Sequence, residues 1–122
     1  MYYKLAKPIP YRTLSGHDIQ YDCIYVNMLP KKGMQLIMSC TTGLPTRSEI
    51  VLTAHHIPCP NNLVALRQNV KCVELSNELI RRGILTHADT YPAVLTHFVT
   101  YKFYRFNHAH FASAPLEKQI VS

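Results

Sequence analysis

The chain has no tryptophan, only four glycines and only seven acidic residues among its 122. Each shortage excludes something. The glycines fall in no G-x-G-x-x-G or G-x-x-x-x-G-K arrangement, so no phosphate-cradling loop is written here. There is no G-x-S-x-G elbow and no H-E-x-x-H helix, which removes the commonest hydrolase signatures. No run of about 18 apolar residues occurs, so no membrane-spanning segment is expected. Met1 to Pro8 lacks the apolar stretch of roughly 7–15 residues that marks a secretory leader, and the chain reads as cytoplasmic. No two cysteines stand as C-x-x-C. Cys23, Cys40, Cys59 and Cys72 are spread along the chain, and in a chain without a leader such residues read as reduced, buried thiols.

What is present is an ordinary core-forming composition. Hydrophobic residues make up 48% and charged residues 16%, which suits one globular domain over 1–122 and one real core without disulfide or metal staples. Thirteen Lys and Arg against the seven acids give a net charge of +6. That excess favours anionic partners, but it divides evenly on either side of Asn61, so no basic arm or tail stands out.

Residues 19–29 alternate, with Tyr21, Cys23 and Tyr25 on one side and Ile24, Val26 and Met28 on the other. Pro30-Lys31-Lys32-Gly33 has turn composition, and Met34 to Cys40 is a second apolar run, so 19–40 reads as a hairpin. Thr46 and Glu49 have capping-box spacing, yet Ile50 to Thr53 is β-branched and favours a strand. Asn61 or Asn62 would cap one or two helices over about 62–82. Leu63, Leu66, Val70 and Val73 form one stripe there, Cys72, Leu75 and Leu79 another, and Arg81-Arg82-Gly83 closes the helix. Residues 93–106 are rich in strand formers and read as one long strand. The tail after Phe111 reads as loosely tied. The expected fold class is α+β: an antiparallel sheet with one or two helices packed on one face.

Several constellations could carry chemistry. His55-His56-x-x-Cys59 with Cys72 is the nearest approach to a zinc set, although only one of the two tight ligand pairs of a structural site is present. His108 and His110, two apart, would share a face if they lie on a strand. His87-Ala88-Asp89 puts a base near a carboxylate, with Asp89 placed as a turn residue. Tyr101-Lys102-Phe103-Tyr104-Arg105-Phe106 is the densest aromatic and basic segment; stacked rings beside cations are how single-stranded nucleic acid is held. Alternation splits it between two faces, however, and it lacks the glycines of the RNA-binding sheet motif. Lys31, Lys32, Arg47, Arg81 and Arg82 complete a set of cations that would form an anion-binding patch if the fold gathered them.

Eight tyrosines are more than one small core easily satisfies, and aromatic residues with Arg are the usual anchors of interfaces. Taken with the missing catalytic signatures, this favours a non-enzymatic protein-interaction module that needs no cofactor. Its partner would be a protein or nucleoprotein complex. Small proteins without motifs include inhibitors that phages and plasmids encode against host nucleoprotein machinery, which makes such an inhibitor an expectation from class alone and not from particular residues. The nine residues Lys31, Lys32, Arg47, Arg81, Arg82, Tyr101, Lys102, Tyr104 and Arg105 are its candidate partner-binding set. Direct nucleic-acid binding is the alternative, and a small zinc or Cys/His-dependent hydrolase around His55, Cys59 and Cys72 is the third.

Overall fold

A computed structural model describes residues 1–29, 33–41, 48–60, 62–113 and 118–120, and these residues form an α+β fold. The expected 19–40 hairpin is β2 (Asp18–Leu29) paired with β3 (Gly33–Cys40). Their antiparallel register runs from Cys23 opposite Ser39 to Leu29 opposite Gly33. Gly33 has φ +80°, which a side-chain-bearing residue rarely adopts; the Pro30-Lys31-Lys32 turn itself lies outside the described residues. On one face of the pair, Ile24, Val26, Leu36 and Met38 are buried in the main core.

β1 (Tyr2–Arg12) was not expected from composition, yet it lies along β2 in the same sheet. Its odd-numbered Tyr3, Leu5 and Ile9 are buried while Lys4, Ala6 and Pro10 face solvent, the period-two signature of a half-buried strand. The register shifts between Lys4 and Ile9. Pro8 falls within that irregular stretch, where a missing N–H is tolerated. The tail after Phe111 is tied more firmly than expected: β10 (Lys118–Ile120) pairs antiparallel with Tyr2 to Lys4. With β4 (Ser48–Val51) on β3, the first sheet has five strands in the order β10-β1-β2-β3-β4. Ile50 thus joins a strand, as its β-branching predicts; Thr46 lies outside the described residues.

The backbone then crosses to a second sheet. Leu52 N–H donates to Leu36 O, Ala54 N–H to Ala65 O and Arg67 N–H to Leu52 O, at 2.7–2.9 Å. β5 (Leu63–Ala65), β9 (Phe103–Phe106) and β6 (Leu85–His87) form this three-stranded antiparallel sheet with β9 central. Leu63 to Ala65 is therefore a strand and not the first turn of a helix. Its residues are all buried because both faces of this sheet are covered. Val64, Leu85 and Phe106 join the main core, while Leu63, Ala65 and Phe103 join a smaller second core.

The helical expectation over 62–82 resolves to α1 (Val70–Arg81). Asn69, not Asn61 or Asn62, is its cap: the Asn69 Oδ1 accepts from Cys72 N–H at 2.9 Å. Within α1 the second stripe, Cys72, Leu75 and Leu79, is the buried one, with Ser76 buried beside it, while Val70 of the first stands 71% exposed; Leu63 and Leu66 of the first stripe are buried too, but outside the helix. Gly83, at φ +79°, ends the helix as expected.

Candidate functional site

The 93–106 segment is extended, as its composition predicts, but not as one strand. It is β7 (Val94–Thr96), β8 (Val99–Tyr101) and β9, with His97 and Phe98 forming a two-residue turn between β7 and β8. Both turn residues have positive φ, +50° and +65°. A type I′ turn requires this at both central positions because its twist matches that of the flanking strands, and Asn-Gly is the usual solution. A histidine and a phenylalanine there are strained, the phenylalanine more so.

The pairing Val94 with Tyr101 and Thr96 with Val99 puts these four side chains on one face of the hairpin. Tyr101 is buried in the second core, and Val94 and Val99 pack against it. Leu95 and Thr100 occupy the opposite face, where Leu95 is 69% exposed, and Phe98 at the tip is fully exposed. The hairpin is thus anchored by one face and presents an apolar finger on the other. The contrasting tip is Leu14, equally exposed between β1 and β2. That loop is closed by Thr13 N–H donating to His17 O at 2.8 Å, and its positive φ falls on Gly16, where no strain arises.

The sequence-predicted cations are not gathered. Lys31, Lys32 and Arg47 lie outside the described residues. Arg81 and Arg82 both pair with Glu78, and Arg82 also donates to the carbonyl oxygen of Lys7 at 2.5 Å, tying the helix end to β1. Hydrogen bonding from Arg81 holds the Glu78 carboxyl at about 2, below its ordinary 4.5, with Arg82 adding to the effect. Tyr101 is buried with its ring edge against His56 at 5.3 Å. Tyr104 is half-buried, walling a crevice of about 50 Å³ against α1 and lying 5.4 Å from the His87 ring. Only Lys102 and Arg105 of the aromatic-basic segment are exposed, and neither side chain has an acidic or hydrogen-bonded partner among the described residues. That segment is a core strand with cations at its margins, and it offers no stacking platform.

The weak metal candidates are likewise dispersed. Cys72 sits in the main core with its thiol toward Val51 O at 3.6 Å. Cys59 packs on the second core and donates to Ile57 O at 3.4 Å. His55 Nε2 is hydrogen-bonded to the Gln35 amide at 3.1 Å. Burial pushes both thiols up, away from the thiolate that metal binding or nucleophilic attack requires. Among the described residues no group of three or more His, Cys, Asp or Glu side chains is placed to hold a metal ion. All four cysteines are thiols. His108 lies in α2 (His108–Ser113), so it and His110 do not share a strand face; the Nδ1 of His108 is instead 2.7 Å from the Tyr3 hydroxyl.

Two carboxylates complete the inventory. Asp89 does more than make a turn: its Oδ1 is 2.6 Å from His87 Nδ1. Asp89 is 82% exposed, so this pair sits in water, where it is screened and polarises little. Asp22, by contrast, is buried, and it accepts from the Thr41 N–H at 2.9 Å and from the Thr41 hydroxyl at 2.6 Å. That arrangement closes the end of β3.

Leu95 and Phe98 are thus exposed apolar residues that sequence reasoning left out, as are Met1, Leu14 and Tyr91. No helix among the described residues is long and apolar enough to cross a membrane. No known protein family, curated protein or solved structure matches this chain.

Proposed function

We propose that the chain is a non-enzymatic protein-interaction module that docks through the β7–β8 hairpin. The observation carrying this is Phe98, fully exposed at the tip of a turn whose two residues both have positive φ. Leaving a phenylalanine side chain in water forgoes about 1.5–3 kcal/mol of burial. Holding a non-glycine residue in the left-handed region adds roughly 1–2 kcal/mol. Neither expense is repaid inside the fold, and backbone strain of this kind clusters at functional sites. A rigid aromatic anchor at the centre of an interface repays both when a pocket closes over it. The +6 charge suits a partner with anionic surface, and a nucleoprotein complex inhibited by occupation of one of its protein surfaces is the form of this function we favour.

The test places a photo-reactive benzoylphenylalanine at position 98, and separately at position 14, in the chain expressed in its native host. The expected result is one discrete protein adduct from position 98, in stoichiometric yield and unchanged by nuclease, with none from position 14. Equal, diffuse labelling from both positions would refute docking through this hairpin. An adduct to nucleic acid would favour direct nucleic-acid binding, whose salt dependence would then rise by about 0.9 in log–log slope per phosphate neutralised.

A further inference from the structure

We infer that the crevice between α1, β9 and residues 66–68 is a binding site for a carboxylate carried on a short apolar stem. The site is separate from the β7–β8 hairpin, none of whose residues lines it. Its first support is a hydroxyl without a partner. Ser76 lines the crevice, is 3% exposed, and its Oγ has no hydrogen-bond partner among the described residues. The backbone groups of Ser76 lie in the middle of α1 and are bonded within the helix, so the hydroxyl is the polar group it offers to the crevice. A buried hydroxyl left unpaired destabilises a fold, and a bound partner relieves it. The Tyr21 and Ser39 hydroxyls are buried and unpartnered too, but neither shares this crevice.

The second support is the set of groups around that hydroxyl. Arg67 donates through Nε to Thr53 O at 3.0 Å, which leaves its two terminal nitrogens without a bond among the described residues. Those two nitrogens form the fork that grips a carboxylate by both oxygens. The Asn77 amide and the Tyr104 hydroxyl line the same crevice and make no hydrogen bond among the described residues. No described residue lining it is acidic, and Leu66, Val73 and Ile80 supply an apolar wall. Water would satisfy Ser76, but it would wet that wall and leave the guanidinium uncompensated. A phosphate dianion would bring two charges to one cation and no carbon to the wall. A carboxylate on two or three carbons answers all three demands. The crevice of about 50 Å³ has room for about three to five waters, close to the bulk of propanoate. Arg67 and Asn77 are exposed, so a longer stem can leave on their side.

The experiment titrates propanoate, propanamide, inorganic phosphate and N-acetylalanine into the isotope-labelled chain at constant ionic strength, following backbone amide resonances by NMR. The expected result is saturable shifts from propanoate at Arg67, Ser76, Asn77 and Tyr104, with a dissociation constant of about 1–10 mM for so small a ligand. Propanamide and phosphate should bind about tenfold more weakly or worse. N-acetylalanine carries the carboxylate of a peptide's end: binding at least as tight as propanoate assigns the site to a chain terminus, and weaker binding assigns it to a free short acid. Ser76→Ala should weaken propanoate about fivefold without lowering the melting temperature, since it deletes an unpartnered hydroxyl and introduces the best helix former. Arg67→Gln, its melting temperature checked in the same way, should weaken propanoate about tenfold or more. Undiminished binding in either folded variant, shifts that propanamide reproduces, or no saturation by about 100 mM would overturn the site. Phosphate binding as tightly as propanoate would overturn the choice of carboxylate. Each of these failures leaves docking through the hairpin untouched.

Discussion

Replacing His97-Phe98 by Asn-Gly should make the protein more stable and leave it unable to dock. Both φ values are positive, +50° and +65°. The left-handed region costs a non-glycine residue about 1–2 kcal/mol, with histidine toward the lower end because it is enriched there. Relief at Phe98→Gly therefore amounts to about 1–2 kcal/mol by that scale, and His97→Asn adds little because both residues tolerate the region. Glycine returns about 0.5–1 kcal/mol through the greater freedom of the unfolded chain. Deleting the Phe98 ring removes no packing, since the ring is fully exposed. The net stabilisation is about 0.5–1 kcal/mol, and a chain of this length gains roughly 3–5 °C per kcal/mol, so the midpoint should rise by about 2–5 °C. Thermal unfolding followed by circular dichroism measures this. The double variant should also fail to compete with the cross-linking chain for its partner. An unchanged or lower midpoint would mean that the turn stores no strain. A stabilised protein that still competes would mean that Phe98 is not the anchor.

Three further outcomes follow from the fold and its ion pairs. Asn69→Ala should lower stability by about 1 kcal/mol, because the Cys72 N–H loses its acceptor, while Asn69→Asp should preserve it; urea unfolding of the two variants separates capping from side-chain size. Leu79→Ala should cost about 2–5 kcal/mol by leaving a cavity in the main core, whereas Val70→Ala on the exposed side of the same helix should stay within about 0.5 kcal/mol, and equal losses would show that the buried stripe is misassigned. Glu78 titrates at about 2 when folded against an ordinary 4.5, so its contribution is complete above pH 4.5 and disappears as pH falls toward 2. Because the pair is at the surface, that contribution is about 1 kcal/mol. Asp18, held low by Arg12, works in the same direction, so the measurement is the difference between the wild type and Glu78→Gln across that window, and identical acid profiles would refute the assignment.

The fold was legible wherever burial differs between two faces. The β2–β3 hairpin shows in alternation because buried residues of β3 and of the outer half of β2 take turns with less buried ones, and the Leu75 and Leu79 side of α1 shows in helical spacing because Val70 on another side is exposed. Leu63 to Ala65 gave no contrast, since both sides of its sheet are covered, and a short apolar run without alternation suits a helix as well as a strand. β1 carried the pattern in Tyr3, Leu5, Ile9 and Tyr11. Lys7 interrupts it, and Pro8 and Pro10 argue against a central strand. The prolines are accommodated because β10 pairs only with Tyr2 to Lys4, leaving the rest of that side of β1 without a strand neighbour among the described residues.

The finger was harder to see, and the reason lies in its chemistry. A two-residue hairpin announces itself through Asn-Gly or a similar pair, and here the turn is His-Phe between strand-forming residues, so local propensity argues for extension straight through it. One trace was present. Val94 and Val99 are five apart, which in a continuous strand would send them to opposite faces, yet both pack on the second core. A reversal between them restores both to one side, and it is the reversal that lifts Phe98 into solvent. The basic-aromatic segment drew attention because it is compositionally dense, but density marked the core: Tyr101, Phe103 and Phe106 are buried. Where local preference and observed backbone disagree, as at His97 and Phe98, the fold is carrying strain that its own packing does not relieve. On the docking reading proposed above, that disagreement marks the partner-facing surface more clearly than any cluster of residue types does.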